Sequence, residues 1–259
     1  MTGGGGAICG AIAVALAGEG AKVAIWDLSG EAALRGARAV EARGGRAVGV
    51  RCDAGDPKDV EQALTRTLAE LGGVDILING AGGSRAEATT SRELEFFSID
   101  KEALQSVIGL NFLTAVIPSQ IVGRVFRDSG EGVILNIASV AGIRPLTRAI
   151  AYSSGKAALI NFTQWLAVHM AAEYSPRIRV NAIAPGFVLT EQNRFLLVDQ
   201  HSGDLTDRGR QVIRHVPQAR LGLPEEIAGA AIWLVSAQAR FVTGAVVPVD
   251  GGFTASAGV

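Results

Sequence analysis

Two rhythms trade places along this chain. Short apolar runs of strand length alternate with longer stretches whose apolar residues recur every three or four positions, and that alternation predicts parallel strands covered by helices. Lys22–Trp26 reads as a strand, Ser29–Arg43 as a helix, Ala47–Arg51 as a strand, and Pro57 opens the next helix. Ile76–Asn79 is a short strand running into the tight turn Gly80-Ala81-Gly82-Gly83. Lys101–Asp128 reads as a long helix bent at Pro118, Gly132–Ile137 as a strand, and Ala149–Tyr174 as the next long helix. Arg179–Ala184 is a strand broken at Pro185-Gly186, and a helix over Pro224–Ala237 and a strand over Ala245–Val249 finish the pattern. The expected fold class is α/β: one doubly wound parallel sheet with helices on both faces.

Between Phe187 and Pro217 the rhythm fades. This stretch holds Gln192, Asn193, Arg194, His201, Arg208, Arg210, Arg214 and His215, lacks a strong period, and is expected to be a substrate lid on a single domain spanning residues 1–259.

Composition narrows the function classes. With 259 residues, 48% of them hydrophobic, the chain can bury one large core. A net charge of −1 provides no basic field for nucleic acid, and no segment approaches the roughly 18 uninterrupted apolar residues of a membrane span. The apolar stretch Ala7–Ala17 has no basic residue before it, unlike a signal peptide. Two cysteines, Cys9 and Cys52, are too few for a disulfide framework, so a cytoplasmic setting is expected.

Candidate chemistry centres on Tyr152 and Lys156 in AYSSGKAAL, with Ser139 thirteen residues before the tyrosine in LNIASVAG. A phenol titrates near pH 10, so exchanging protons at neutral pH calls for a cation to lower its pKa, and a lysine one helical turn away supplies one. With the Ser139 hydroxyl, the group would move a proton to or from an alcohol or carbonyl oxygen. A hydride carrier is the missing half. The run Thr2-Gly3-Gly4-Gly5-Gly6-Ala7-Ile8-Cys9-Gly10 enters a helix and resembles a turn that brings backbone NH groups to a pyrophosphate. Asp27 ends the first complete strand at about the separation where a carboxylate meets an adenosine ribose, which favours NAD over NADP. A turn of this kind needs a strand before it, yet only Met1 precedes Thr2. The expectation is that this first strand is missing from the sequence at hand and that the natural chain starts upstream, because loss of a central strand would leave two neighbours with unpaired backbone groups.

Taken in order, TGGGGAICG, CDAGD, NGAGG, Asn111 in GLNFL, Ser139, YSSGK, APGFVLT and VDGGF resemble the short-chain dehydrogenase/reductase family over nearly the whole chain. RPLTRAIAYSSGKAALINFTQWLAVHMA and IAPGFVLTEQNRFLL are similar to its subgroup of D-mannonate oxidoreductases, or fructuronate reductases. The resemblance implies a Rossmann-type fold and a catalytic set of Asn111, Ser139, Tyr152 and Lys156, with Asn111 fixing a relay water. It implies that Gly3, Gly6, Ile8, Asp27, Leu28, Asp53, Ala54, Asn79, Ala81, Gly82, Tyr152, Lys156, Pro185, Gly186, Val188 and Thr190 hold NAD. It also implies a homotetramer. A sugar-acid substrate would need a cation and polar readers, for which Arg144, Arg148, Gln192, Asn193 and Arg194 are the candidates; no metal is expected. Two departures stand out: the family's glycine motif has Gly where this chain has Ala7 and Cys9, and Gly80 follows Asn79 where many relatives carry a second small or amide residue.

Overall fold

The computed structural model describes residues 1–199 and 202–257, apart from the side chains of Glu191, Gln192 and Phe195. His201 therefore lies outside the described residues, as does the side chain of Gln192. Among the described residues six parallel strands carry the fold: β1 (Val23–Asp27), β2 (Ala47–Arg51), β3 (Ile76–Asn79), β4 (Gly132–Ile137), β5 (Ile178–Pro185) and β6 (Val246–Val249). They form a pair, β1-β2, and a run, β3-β4-β5-β6.

Between β1 and β3, where the sequence predicts a missing strand, the first two residues of the chain lie in that strand's place. Thr2 bridges in parallel to Trp26 on one side and Asn79 on the other. The Met1 amine donates to Ala24 O at 2.9 Å, Trp26 N to Met1 O at 2.8 Å and Thr2 N to Ile78 O at 2.9 Å. This segment satisfies the inner backbone groups of β1 and β3 at the end of the sheet that aims the glycine turn.

Helices α1 (Ala7–Gly18), α2 (Gly30–Glu41) and α8 (Pro224–Val235) bury their apolar stripes on one face of the sheet, where Ile12, Ala33, Val40, Ile227 and Leu234 join one core. On the other face, α3 (Pro57–Leu71), α4 (Lys101–Ser129) and α5 (Ile150–Glu173) cover a second core around Phe126, Ile134, Leu166 and Val180. β5 is buried from end to end, as expected of a parallel strand sandwiched between helix layers. Local signals set the helix ends: Asp56 accepts from Lys58 N, Pro57 follows, and Gly72 closes α3 in the left-handed region. By length and composition α4 could cross a bilayer, but in this fold it packs between α3, α5 and the sheet, with Asn111 and Thr114 buried on it.

The polar stretch after Phe187 is not structureless. It contains α6 (Glu191–Leu197) and α7 (Asp207–Arg214), tied by a bridge between Val198 and Leu205. Helices this short show no sustained period, and their caps define them instead. The Asn193 side chain accepts from Thr190 N at the start of α6, and the Thr206 hydroxyl accepts from Gly209 N on α7.

Candidate active site

At the carboxyl ends of the strands lies a cleft of about 930 Å³, near the upper end of the roughly 300–1,000 Å³ typical of small-molecule sites. Its floor comes from the glycine turn. Gly3 has φ of +59°, and a Cβ there would sit 2.9 Å from Ala81 Cα, so the tetraglycine run is a packed turn, not a loose tag. Asp27 closes one end of it: its Oδ2 accepts from Gly5 N and its Oδ1 from Ser29 N, both at 3.0 Å. Of the expected cofactor residues, Gly3, Gly6, Ile8, Asp27, Leu28, Asp53, Ala54, Ala81, Gly82, Pro185, Gly186, Val188 and Thr190 all line this cleft, together with Tyr152 and Lys156.

Asn79 does not line it. Its amide points toward the helix layer of α4 and α5, donating to Asn136 Oδ1 at 2.9 Å and Ser119 Oγ at 3.0 Å, and Asn136 passes the chain of bonds to Thr163. Asn79 Oδ1 is the one buried side-chain atom without a partner among the described residues. The register pairs Asn79 with Asn136 on β4, which turns Asn79 away from the ligand side.

At the opposite end of the cleft, β4 delivers Ser139 and the first turns of α5 deliver Tyr152 and Lys156. Ser139 is buried, caps a 3₁₀ turn by accepting from Ala141 N at 3.1 Å, and its hydroxyl acts on the Tyr152 phenol in the direction that favours ionisation. The Lys156 ammonium donates to Ile137 O at 2.8 Å and lies 5.9 Å from the centroid of the Tyr152 ring. Burial brings Lys156 down to about 8. The sequence argument expected the Tyr152 pKa to fall, yet burial pushes the phenol above its usual value, with the Ser139 hydroxyl pulling the other way. Desolvation of the phenolate outweighs that pull, so the resting tyrosine is the neutral acid. Asn111 is fully buried and absent from the cleft lining; its Oδ1 accepts from Gly83 N, and its Nδ2 donates to Gly83 O and Val107 O. It meets Lys156 across Gly82, where a Cβ would lie 2.8 Å from Asn111 Oδ1 and 3.2 Å from Lys156 Nζ.

The substrate candidates are dispersed. Asn193 lines the cleft, but its amide is engaged in capping α6, accepting from Thr190 N and donating to Val188 O, both at 2.8 Å. Arg144, Arg148 and Arg194 are exposed and outside the lining. Arg144 donates to Ser256 O at 2.8 Å, pinning the C-terminal tail, while Arg148 holds a left-handed φ of +75° and its carbonyl accepts from Thr90 N. Among the described residues no cluster could hold a metal. Sequence reasoning passed over Cys9, Arg35, Cys52, Thr114, Leu146 and Phe187, all in the lining. Thr114 was within reach, since it follows Asn111 by three on the same helix face.

Comparison with known proteins agrees with this geometry. A family model described as "Enoyl-(Acyl carrier protein) reductase" matches residues 5–254. The chain belongs to the short-chain dehydrogenase/reductase family and is an oxidoreductase of alcohol groups. It is similar to the uncharacterized oxidoreductase UxuB of Bacillus subtilis, 40% identical over 100% of this chain and 95% of that protein. It also resembles 2-(S)-hydroxypropyl-CoM dehydrogenase 3 of Xanthobacter autotrophicus, 36% identical over 98% of this chain and 95% of the relative. A Haemophilus structure described as a proposed D-mannonate oxidoreductase with bound NAD superposes with a TM-score of 0.92 at 38% identity, covering 100% of this chain and 95% of that one.

Proposed function

We propose that the protein is an NAD-dependent oxidoreductase that interconverts a hydroxyl and a keto group on a sugar acid, with D-mannonate and fructuronate as the leading pair. The observation that carries it is a single cleft with the Ser139–Tyr152–Lys156 set at one end and Asp27 with the glycine turn at the other. Bound there, the nicotinamide cofactor would supply hydride to a ketone carbon in its reduced form and, as NAD, accept hydride from the alcohol in the reverse direction. Gly3, Gly6 and Ile8 would cradle its pyrophosphate, and the carboxylate of Asp27 would receive ribose hydroxyls while repelling a 2′-phosphate. Val188 and Thr190 would flank the nicotinamide end.

The chain's own groups handle the proton. A neutral Tyr152 phenol is the form that donates to a ketone oxygen, Ser139 hydrogen-bonds that oxygen, and the Lys156 cation supports the phenolate left behind. Asn111 serves as the positioning residue that joins the Gly82–Gly83 loop to the lysine. The substrate is taken to be a sugar acid by likeness to the Haemophilus protein. Its carboxylate would be met by Arg148 or Arg194, on segments bordering the cleft, when residues 187–217 close as a lid. A homotetramer is part of the same reading, supported by exposed Leu113, Trp165 and Val168 on α4 and α5. So is a cytoplasmic setting, supported by two free, buried cysteines.

The test is a spectrophotometric screen of sugar acids and their keto forms with NAD and NADP at matched concentrations. Turnover of D-mannonate with NAD supports the reading. Efficient turnover of an uncharged polyol or a 3-oxoacyl thioester, with none of any sugar acid, would overturn the substrate class.

A further inference from the structure

The two departures from the family's glycine pattern meet in space. Cys9 is the third residue of α1, buried, at the start of the helix that follows the dinucleotide turn. Gly80 begins the loop after β3. A Cβ built on Gly80 would lie 2.0 Å from Cys9 Sγ and 3.0 Å from Thr2 O, whereas nonbonded heavy atoms settle at about 3.5–4.0 Å. No side chain fits at position 80 while the thiol is in place. The same loop is held from the other side by the Thr2 hydroxyl, which accepts from Gly80 N at 3.1 Å and Ala81 N at 3.3 Å, and by the backbone of Gly3.

We propose that Cys9 and Gly80 are a matched pair of positioning residues for the cofactor: bulk absent from position 80 is carried at position 9, and the pair sets the spacing between the pyrophosphate turn and the Gly80–Gly83 loop. This rests on the dinucleotide reading of the cleft. Gly3, Gly6 and Ile8 on one side and Ala81 and Gly82 on the other are lining residues, so a shift of one loop against the other changes the width of the cleft where a dinucleotide would cross it. Interiors are packed too tightly for such a gap to close without backbone movement. The thiol fills volume and carries no charge at neutral pH, since burial pushes it up to about 11.

The experiment is a double-mutant cycle read by NADH fluorescence titration and thermal unfolding. Cys9→Gly is expected to weaken NADH binding about tenfold, Gly80→Ala at least as much, and the double variant C9G/G80A to recover most of the loss, as coupled neighbours do. A packing role alone would lower the melting temperature of Cys9→Gly and leave the NADH Kd where it was; that result overturns the proposal. So does a double variant whose losses simply add. If Gly80→Ala fails to fold, Cys9→Gly and the double variant still decide the matter. Wild-type protein that binds no NADH would instead sink the cofactor reading itself, and this inference with it.

Discussion

Replacing Lys156 with methionine should stabilise the folded protein while ending its catalysis. The ammonium is 4% exposed, has one hydrogen-bond partner in Ile137 O, and is held down to about 8 from 10.5 by burial. The fall from 10.5 to about 8 puts the charged lysine about 3 kcal/mol at a disadvantage in the fold at pH 7. Methionine removes that penalty but leaves the Ile137 carbonyl without its donor, a loss of about 1 kcal/mol. The net gain is about 2 kcal/mol at pH 7. Because the folded pKa lies below the unfolded one, the unfolded chain binds more protons between about pH 8 and 10.5, and wild-type stability rises with pH through that window. The advantage of the variant therefore shrinks toward zero by about pH 10, where the wild-type lysine is neutral in the fold and still donates its hydrogen bond. Urea unfolding of both proteins at pH 7 and pH 10, followed by tryptophan fluorescence, measures it. A variant less stable than wild type at pH 7, or a difference that is the same at both pH values, would refute the reasoning.

Three further outcomes are expected. Tyr152→Phe should lower kcat about 10²–10⁴-fold and weaken NADH binding far less, so a loss of binding as large as the loss of kcat, measured by fluorescence, would argue against an acid–base role. Asp27→Ala removes both the proposed ribose acceptor and the bond from Gly5 N; KM for NAD should rise about tenfold or more and discrimination against NADP should fall, and an unchanged NAD/NADP ratio in steady-state kinetics would contradict the assignment. Arg144→Ala removes one tie to the C-terminal segment at the Ser256 carbonyl, a segment that also reaches the cleft through the edge-on contact of Phe253 with Phe187. A rise of a few-fold in KM for the hydroxy substrate with an unaltered NADH Kd is expected, and a change in the NADH Kd alone would mean that the tail serves the cofactor end.

Legibility followed locality. The strand and helix alternation, the strand end at Asp27 and the Tyr152–Lys156 spacing depend on neighbours a few residues apart, and each was readable. The same holds for the start of α3 at Pro57, a short-range signal. Asn79 was misread because the direction of a residue at a strand end depends on register with another strand, here Asn136 fifty-seven residues away. The arginines were chosen for closeness in sequence to catalytic segments, but Arg144 spends its charge on a carbonyl 112 residues distant. The two helices of the stretch after Phe187 were missed because seven or eight residues are too few for a period.

By itself, then, the sequence determined the parallel α/β class, the identities of Ser139, Tyr152 and Lys156, and the carboxylate at the end of β1, because backbone periodicity and one-turn spacings are properties of contiguous residues. Tertiary structure alone decided what those groups experience. Burial, which no contiguous stretch encodes, drives the Tyr152 phenol up and Lys156 down. Close packing of α1 against the β3 loop turns Cys9 and Gly80, two separate oddities in the linear pattern, into one complementary contact. Desolvation and steric fit are summed over every element that meets at a point, and only the fold brings those elements together.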